Sequence, residues 1–191
     1  MPTFNYDPNK HEYTKDGVVM PSLTEILQSV GIVDASWFND YARERGTFVH
    51  KATALYDMRM LDTETLDPQL RPYLDAWLLF LFQANIQTPM HIEEPLFHET
   101  LNYGCTPDRR KESLIVEIKT NKLPWWCAIQ TAGQELAIIQ GVGPHAPRLR
   151  RIGVELHADG SYKMEEYKDK NDREVFLGAL AVHQRKLKEM K

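Results

Sequence analysis

The sequence predicts an α/β (α+β) protein: a central mixed β-sheet flanked by helices, with a helical N-terminal extension. Three observations carry this. A chain of 191 residues with 42% hydrophobic and 10% aromatic content can bury one core and is too short for two comfortable ones. The apolar spacing is helical over much of residues 22–88 and changes after Pro89 to short strand-like runs. Three strands, a helix, two strands and a last helix then follow, the order of a mixed sheet with covering helices. No repeat, linker or low-complexity tract marks a boundary. Residues 1–191 are therefore expected to form a single domain, helical over about 22–88, with the core over about 89–191.

Each element has a local reason. "FNYDPNKHEYTKDGVVMP" reads as short strands around an Asp16-Gly17 turn. Ser22 stands three residues before Glu25, a capping box that opens a helix closed by Gly31. A second helix is expected from about Ala35 to Met60, interrupted at Gly46, and a third from about Pro68 to Asn85, with Pro72 near its first turn. "HIEEPLFHE", "LNYGCTP" and "SLIVEIKT" suggest a three-stranded antiparallel meander. "PWWCAIQTAGQELAIIQ" is expected as a helix with Pro124 at its first position. "RLRRIGVELH" and "SYKMEEYK" flank the hairpin signal Asp159-Gly160, and Asn171 is expected to cap the final helix.

Composition excludes several classes. The longest apolar run, "WLLFLF", is too short to span a bilayer, and no signal-like segment precedes it, so a cytoplasmic setting is expected. Two cysteines, Cys105 and Cys127, make neither a disulfide framework nor a four-thiolate metal site. A net charge of −4 is not that of a general nucleic-acid binder, so any such binding must come from local patches. "DRRK" at 108–111, "RLRR" at 148–151 and the C-terminal "HQRKLKEMK" are the candidates, although any one of them alone reads first as a solvated face.

The chemistry concentrates in "YGCTPDRRKESLIVEIKTNK". Strand alternation puts Leu114, Val116 and Ile118 on one face and Ile115, Glu117 and Lys119 on the other. Asp108 precedes the turn "RRKES" and can return beside Glu117. Two carboxylates with a lysine suit a hard divalent cation, Mg²⁺ or Mn²⁺, that activates water for attack on phosphorus. An ordinary ion pair on a strand face is the other reading. The acid-x-Lys triplet recurs at Glu166 and Glu189, whereas Pro-Asp occurs only at 107–108.

The order Pro107-Asp108, eight residues, Glu117-Ile118-Lys119 resembles the PD-(D/E)xK nuclease superfamily, and in particular its RecB-like, phage-type exonuclease branch. "RGTFVHKA" at 45–52, the N-terminal "HEYTKDGVVMPSLTEIL" and "QTAGQELAI" at 130–138 are similar to further segments of that branch. The resemblance implies a restriction-endonuclease-like core and a Mg²⁺-dependent DNA exonuclease of phage recombination or DNA processing, leaving a 5′-phosphate and a 3′-hydroxyl. It implies Asp108, Glu117, His50 and the carbonyl of Ile118 as metal ligands, Lys119 as the catalytic lysine and Gln130 as its helper. Glu93, or its neighbour Glu94, is the expected additional acid; only one can face the site if both lie in a strand. Arg43, Arg45 and Arg109 are candidates for holding DNA, and Trp125 for stacking on bases, although adjacent tryptophans more often pack in a core. DNA is the expected partner, in a bacterial or phage-infected cell, with a homo-oligomer or a single-strand annealing protein as further associates. Four-cysteine iron–sulfur relatives are excluded. Two departures stand out: Cys105 where the family commonly has glycine, and Gln134 where it has tyrosine. They motivate an alternative, a catalytically silent DNA-binding or inhibitory module on the same fold. A structure-specific endonuclease is a further one.

Overall fold

A computed structural model describes residues 2–34, 40–87, 90–142 and 148–189. The expected starts of the second helix at Ala35 and of the sheet region at Pro89 lie outside the described residues, as does His145.

The N-terminal segment is an antiparallel meander of β1 (Phe4–Asp7), β2 (Glu12–Lys15) and β3 (Val18–Met20). Asp16 and Gly17 both take positive φ, 53° and 77°, as a tight two-residue hairpin requires. The capping box forms at the head of α1 (Leu23–Ser29): Glu25 N–H donates to Ser22 Oγ at 3.2 Å, and Ser22 N–H to Glu25 Oε2 at 2.7 Å. Gly31, at φ 78°, ends the helix. Helix α2 (Asp40–Asp57) runs unbroken through Gly46. Helix α3 (Arg71–Gln83) starts later than the sequence suggests and carries Pro72 in its first turn.

The meander expected after Pro89 is corrected to five strands: β4 (His91–Ile92), β5 (Leu96–His98), β6 (Tyr103–Cys105), β7 (Arg109–Lys111) and β8 (Leu114–Lys119). β5 and β6 pair off as a separate ribbon. β7, expected as turn, is a strand because the Arg109 side chain is fully buried against Asp57, a partner far upstream that no local pattern reveals. Then follow α4 (Cys127–Ile139), β9 (Arg150–Leu156), β10 (Tyr162–Glu166) and α5 (Asn171–Glu189). Pro124 lies in the turn ahead of α4, where its carbonyl accepts from Cys127 N–H at 3.0 Å. Asn171 is the first residue of α5 and not its cap; its N–H goes to Asp169 Oδ1 at 2.8 Å.

The main sheet has the order β10-β9-β8-β7-β4, antiparallel except for the parallel pair β8–β9, which α4 connects. This is a mixed α/β fold of the restriction-endonuclease-like kind. Leu114, Val116 and Ile118 join Ile152, Val154 and Leu156 in one core against Trp77 and Phe80 of α3 and Val49 of α2. Each such buried side chain contributes roughly 1.5–3 kcal/mol. On the opposite side, Leu23, Ile26 and Leu27 of α1 pack with Ile129 of α4 and Phe176 of α5. Glu117 and Lys119 lie between the sheet and α4. No described helix is long and apolar enough to cross a membrane.

Candidate active site

The tight β7–β8 hairpin pairs Arg109 with Val116, so Asp108 enters the sheet next to Glu117. Asp108 Oδ2 accepts the Ile118 N–H at 2.6 Å, fixing the carboxylate at the end of β7. The following residue faces the other way. Arg109 donates to Asp57 Oδ2 (2.7 Å) and Thr53 Oγ1 (3.1 Å) of α2, and to the Asp108 carbonyl (2.7 Å). Asp57 also accepts from Trp77 Nε1 at 3.0 Å, and the Arg109 guanidinium lies 5.5 Å from the centre of the Trp77 ring. This buried network holds α2 against β7, and one turn before Thr53 it places His50 Nδ1 at 3.3 Å from Asp108 Oδ1.

Glu117, 3% exposed, is surrounded by donors. Its Oε1 accepts from Lys119 Nζ (2.9 Å) and Gln130 Nε2 (2.6 Å), and its Oε2 from Gln134 Nε2 (3.0 Å). Lys119 Nζ also donates to Gln130 Oε1 at 3.4 Å and sits 5.4 Å over the Trp126 ring. The electrostatics follow from this crowding. Burial and the Asp108 charge push the Glu117 carboxyl above the usual carboxylate range, against Lys119 and Gln134. Burial also raises Asp108, but His50, Lys119 and the Ile118 N–H outweigh it, and its net shift is downward. Burial disfavours the charged forms of His50 and Lys119, and their carboxylate neighbours reverse that, so both are shifted upward.

His50 and Lys119 open into a cavity of about 750 Å³ between α2 and the end of β8, with the two acids buried behind them. His50, Ile118, Lys119 and Trp126 form its walls, and Arg43, Lys51 and Lys122 also line it. Glu93 reaches this cavity and Glu94 does not: Glu94 is held by His91 at 2.7 Å and by Arg110. The choice is not made by strand alternation, because β4 ends at Ile92 and Glu93 turns through φ 46°.

Other expected residues lie elsewhere. Arg109 is corrected from a DNA contact to a buried structural cation, since it is 0% exposed and fully paired. Arg45 donates to Thr120 O and Asn121 Oδ1, at 3.3 and 2.6 Å, bracing the exit of β8 between the Tyr41 and Tyr73 rings. Arg43 is exposed and faces Asp40 at 3.6 Å. Trp125 is 67% exposed, away from any core, while Trp126 packs beside Lys119. The basic patches shrink: Arg151 is buried against Glu135 and Asp172, Arg150 pairs with Glu166, and Lys186 donates to Ser29 O. Gln134, which the sequence marks only as a departure from a family pattern, is the site residue that reasoning missed. The signal was its spacing, one helical turn after Gln130, which puts both amides on one face.

Among the described residues, no three His, Cys, Asp or Glu side chains close into a metal cage. The donor chemistry nonetheless fits a hard divalent cation. Two buried carboxylates oppose one another, and the 3.3 Å between His50 and Asp108 is close to the spacing of adjacent ligands on one small ion, about 3 Å for bonds near 2.1 Å.

No family model and no curated protein matches this chain. Among solved structures it is similar to a candidate exonuclease from Eubacterium rectale, with a TM-score of 0.54 and 11% identity over 87% of this chain and 72% of that one. It is also similar to an alkaline exonuclease from Laribacter hongkongensis, with a TM-score of 0.39 and 16% identity over 87% of this chain and 80% of that one. The first likeness shows a shared fold.

Proposed function

We propose that this protein is a divalent-metal-dependent deoxyribonuclease of the PD-(D/E)xK type that degrades DNA from its ends, in phage recombination or DNA processing. The observation that carries the reading is the convergence of Asp108, Glu117 and Lys119 behind a lysine- and arginine-lined cavity that Lys119 and His50 face, with His50 and Gln130 touching the acids. The exonuclease name of the neighbour that shares the fold agrees with it.

Asp108, Glu117, His50 and the Ile118 carbonyl would hold Mg²⁺ or Mn²⁺, which supplies Lewis-acid polarisation of a phosphoryl oxygen and a nucleophile at neutral pH. The protein's own groups do the rest. Lys119, kept protonated by Glu117, meets the negative charge that develops on the phosphoryl oxygens. Gln130 accepts from Lys119 and donates to Glu117, so it fixes the angle between them. Arg43, Lys51 and Lys122 bind backbone phosphates without reading sequence. Trp126 offers a flat wall to a sugar or base.

The test compares wild type, Lys119→Ala and Asp108→Ala on linear DNA, with Mg²⁺ and with EDTA. Only wild type with Mg²⁺ is expected to degrade the substrate; equal degradation by all three proteins refutes the assignment. Closed circular DNA is expected to survive, and its nicking would make the enzyme an endonuclease. Salt-sensitive DNA binding without cleavage by wild type would identify a silent module.

A further inference from the structure

The amide of Gln134 is 1% exposed and has only half of its hydrogen bonding met. A carboxylate only accepts, so the end that touches Glu117 is Nε2, and Oε1 is left buried with no partner among the described residues. A buried acceptor left without a donor is costly, because it has given up its hydrogen bonds to water. Gln134 lines a small cavity of about 40 Å³ between α4 and the N-terminal meander, together with Tyr13, Ser22, Thr24 and Thr106. The volume suits one water, whose share of liquid is about 30 Å³.

The walls carry hydroxyl protons to spare. Tyr13 Oη and Thr106 Oγ1 lie 2.6 Å apart and Thr106 also bonds the Tyr6 hydroxyl, so when Thr106 donates to Tyr13 it is the Tyr13 O–H that is left to give. Ser22 Oγ accepts from Glu25 N–H and keeps its own proton to give.

We propose that this cavity is a binding site for a single ordered water that donates to Gln134 Oε1 and accepts from a hydroxyl of its wall, making Gln134 a positioning residue for Glu117. The chain runs from Tyr13 and Thr106 through the water and the Gln134 amide to Glu117 Oε2. It gives the N-terminal meander a part in aiming a carboxylate that it does not touch. The catalytic consequence rests on the nuclease reading above; the water and the orientation of Glu117 do not.

Two crystal structures at high resolution, of wild type and of Gln134→Met, test this without any activity. The wild-type map is expected to show one water about 2.7–3.2 Å from Gln134 Oε1 and within the same reach of a wall hydroxyl. In Gln134→Met the water is lost and the Glu117 side chain leaves its orientation. With Mg²⁺ and DNA, kcat falls about 10–100-fold, the usual cost of an outer-shell partner, while KM stays within about twofold. A dry wild-type cavity, a protein donor on Oε1, an unmoved Glu117 in the variant, or a loss confined to KM overturns the proposal. If the variant does not fold, the wild-type map decides. A wild type that never cleaves DNA defeats the nuclease reading and leaves both maps to judge the water.

Discussion

Replacing Gly104 with alanine puts the closest approach to a glycine among the described residues under test. Gly104 sits in the middle of β6, and its N–H donates to Pro21 O at 3.0 Å, so its backbone is held in place. A Cβ built on it would stand 2.2 Å from Cγ and Cδ1 of Tyr13, more than an ångström inside the 3.4 Å of ordinary contact. The tyrosine cannot swing aside cheaply. It is 1% exposed, its hydroxyl is tied to Thr106 at 2.6 Å, and its ring is in contact with those of Tyr6, His11 and Phe97. Overpacking of this kind costs about 1–3 kcal/mol. For a domain of this size each kcal/mol lowers Tm by about 2–4 °C, so Gly104→Ala should melt some 3–10 °C below wild type in a calorimetric or fluorescence melt. Combining it with Tyr13→Ala should make the second penalty far smaller than the first. A Tm within a degree of wild type, or full additivity of the two changes, would refute the reasoning.

Three other outcomes are expected. Arg109→Met strands the buried Asp57 carboxylate and should cost about 3–5 kcal/mol by denaturant unfolding, with Asp57→Asn in the same chain restoring part of it. Glu117→Gln in EDTA should gain on wild type as pH rises: the wild-type carboxyl, raised by burial and by Asp108, costs nothing below its unfolded pKa, and its penalty is complete once pH passes the folded one. The difference in Tm between variant and wild type should therefore shift in the variant's favour with pH and then level off, as melts across the range will show. Lys51→Ala with Lys122→Ala should weaken DNA binding for all sequences and flatten the salt dependence by about 0.7–0.9 per lost phosphate contact, measured by anisotropy at several salt concentrations.

The sequence is most informative where chemistry and local pattern coincide. The alternation of β8, the Ser22–Glu25 box and the Asp159-Gly160 turn, whose glycine takes φ 81°, are short-range and are found as expected. β7 is hidden because "RRK" has no apolar alternation; its place in the sheet depends on an ion pair spanning 52 residues. The same blindness makes "DRRK" and "RLRR" look like surface patches, when Arg109 and Arg151 each lie inside with distant acidic partners. Within the candidate site, Asp108, Glu117 and Lys119 could be named from spacing, Gln130 and His50 only from the family resemblance, and the joining of His50 to the acids requires distant elements to meet. The Cys105 departure also acquires a physical account: glycine is demanded one position earlier, where Tyr13 lies flat on the backbone. Cys105 itself is buried, and burial raises its thiol well above the ordinary range, which leaves it protonated and unreactive.

The central position of β8 also governs when the site comes into being during synthesis. One edge of the strand is supplied early, by the β7 hairpin, but the other is β9, which ends at Leu156. The seat of α4, and with it Gln130 and Gln134, depends on Arg151 of β9 donating to Ala128 O at 2.8 Å and facing Glu135. Contacts so distant along the chain form late in folding, and a chain leaves the ribosome from its N-terminus. A nascent polypeptide in which β9 has not yet emerged through Leu156 therefore carries the acids without the frame that aims them. Glu117 therefore waits for β9 to join the sheet before it has the partners that aim it.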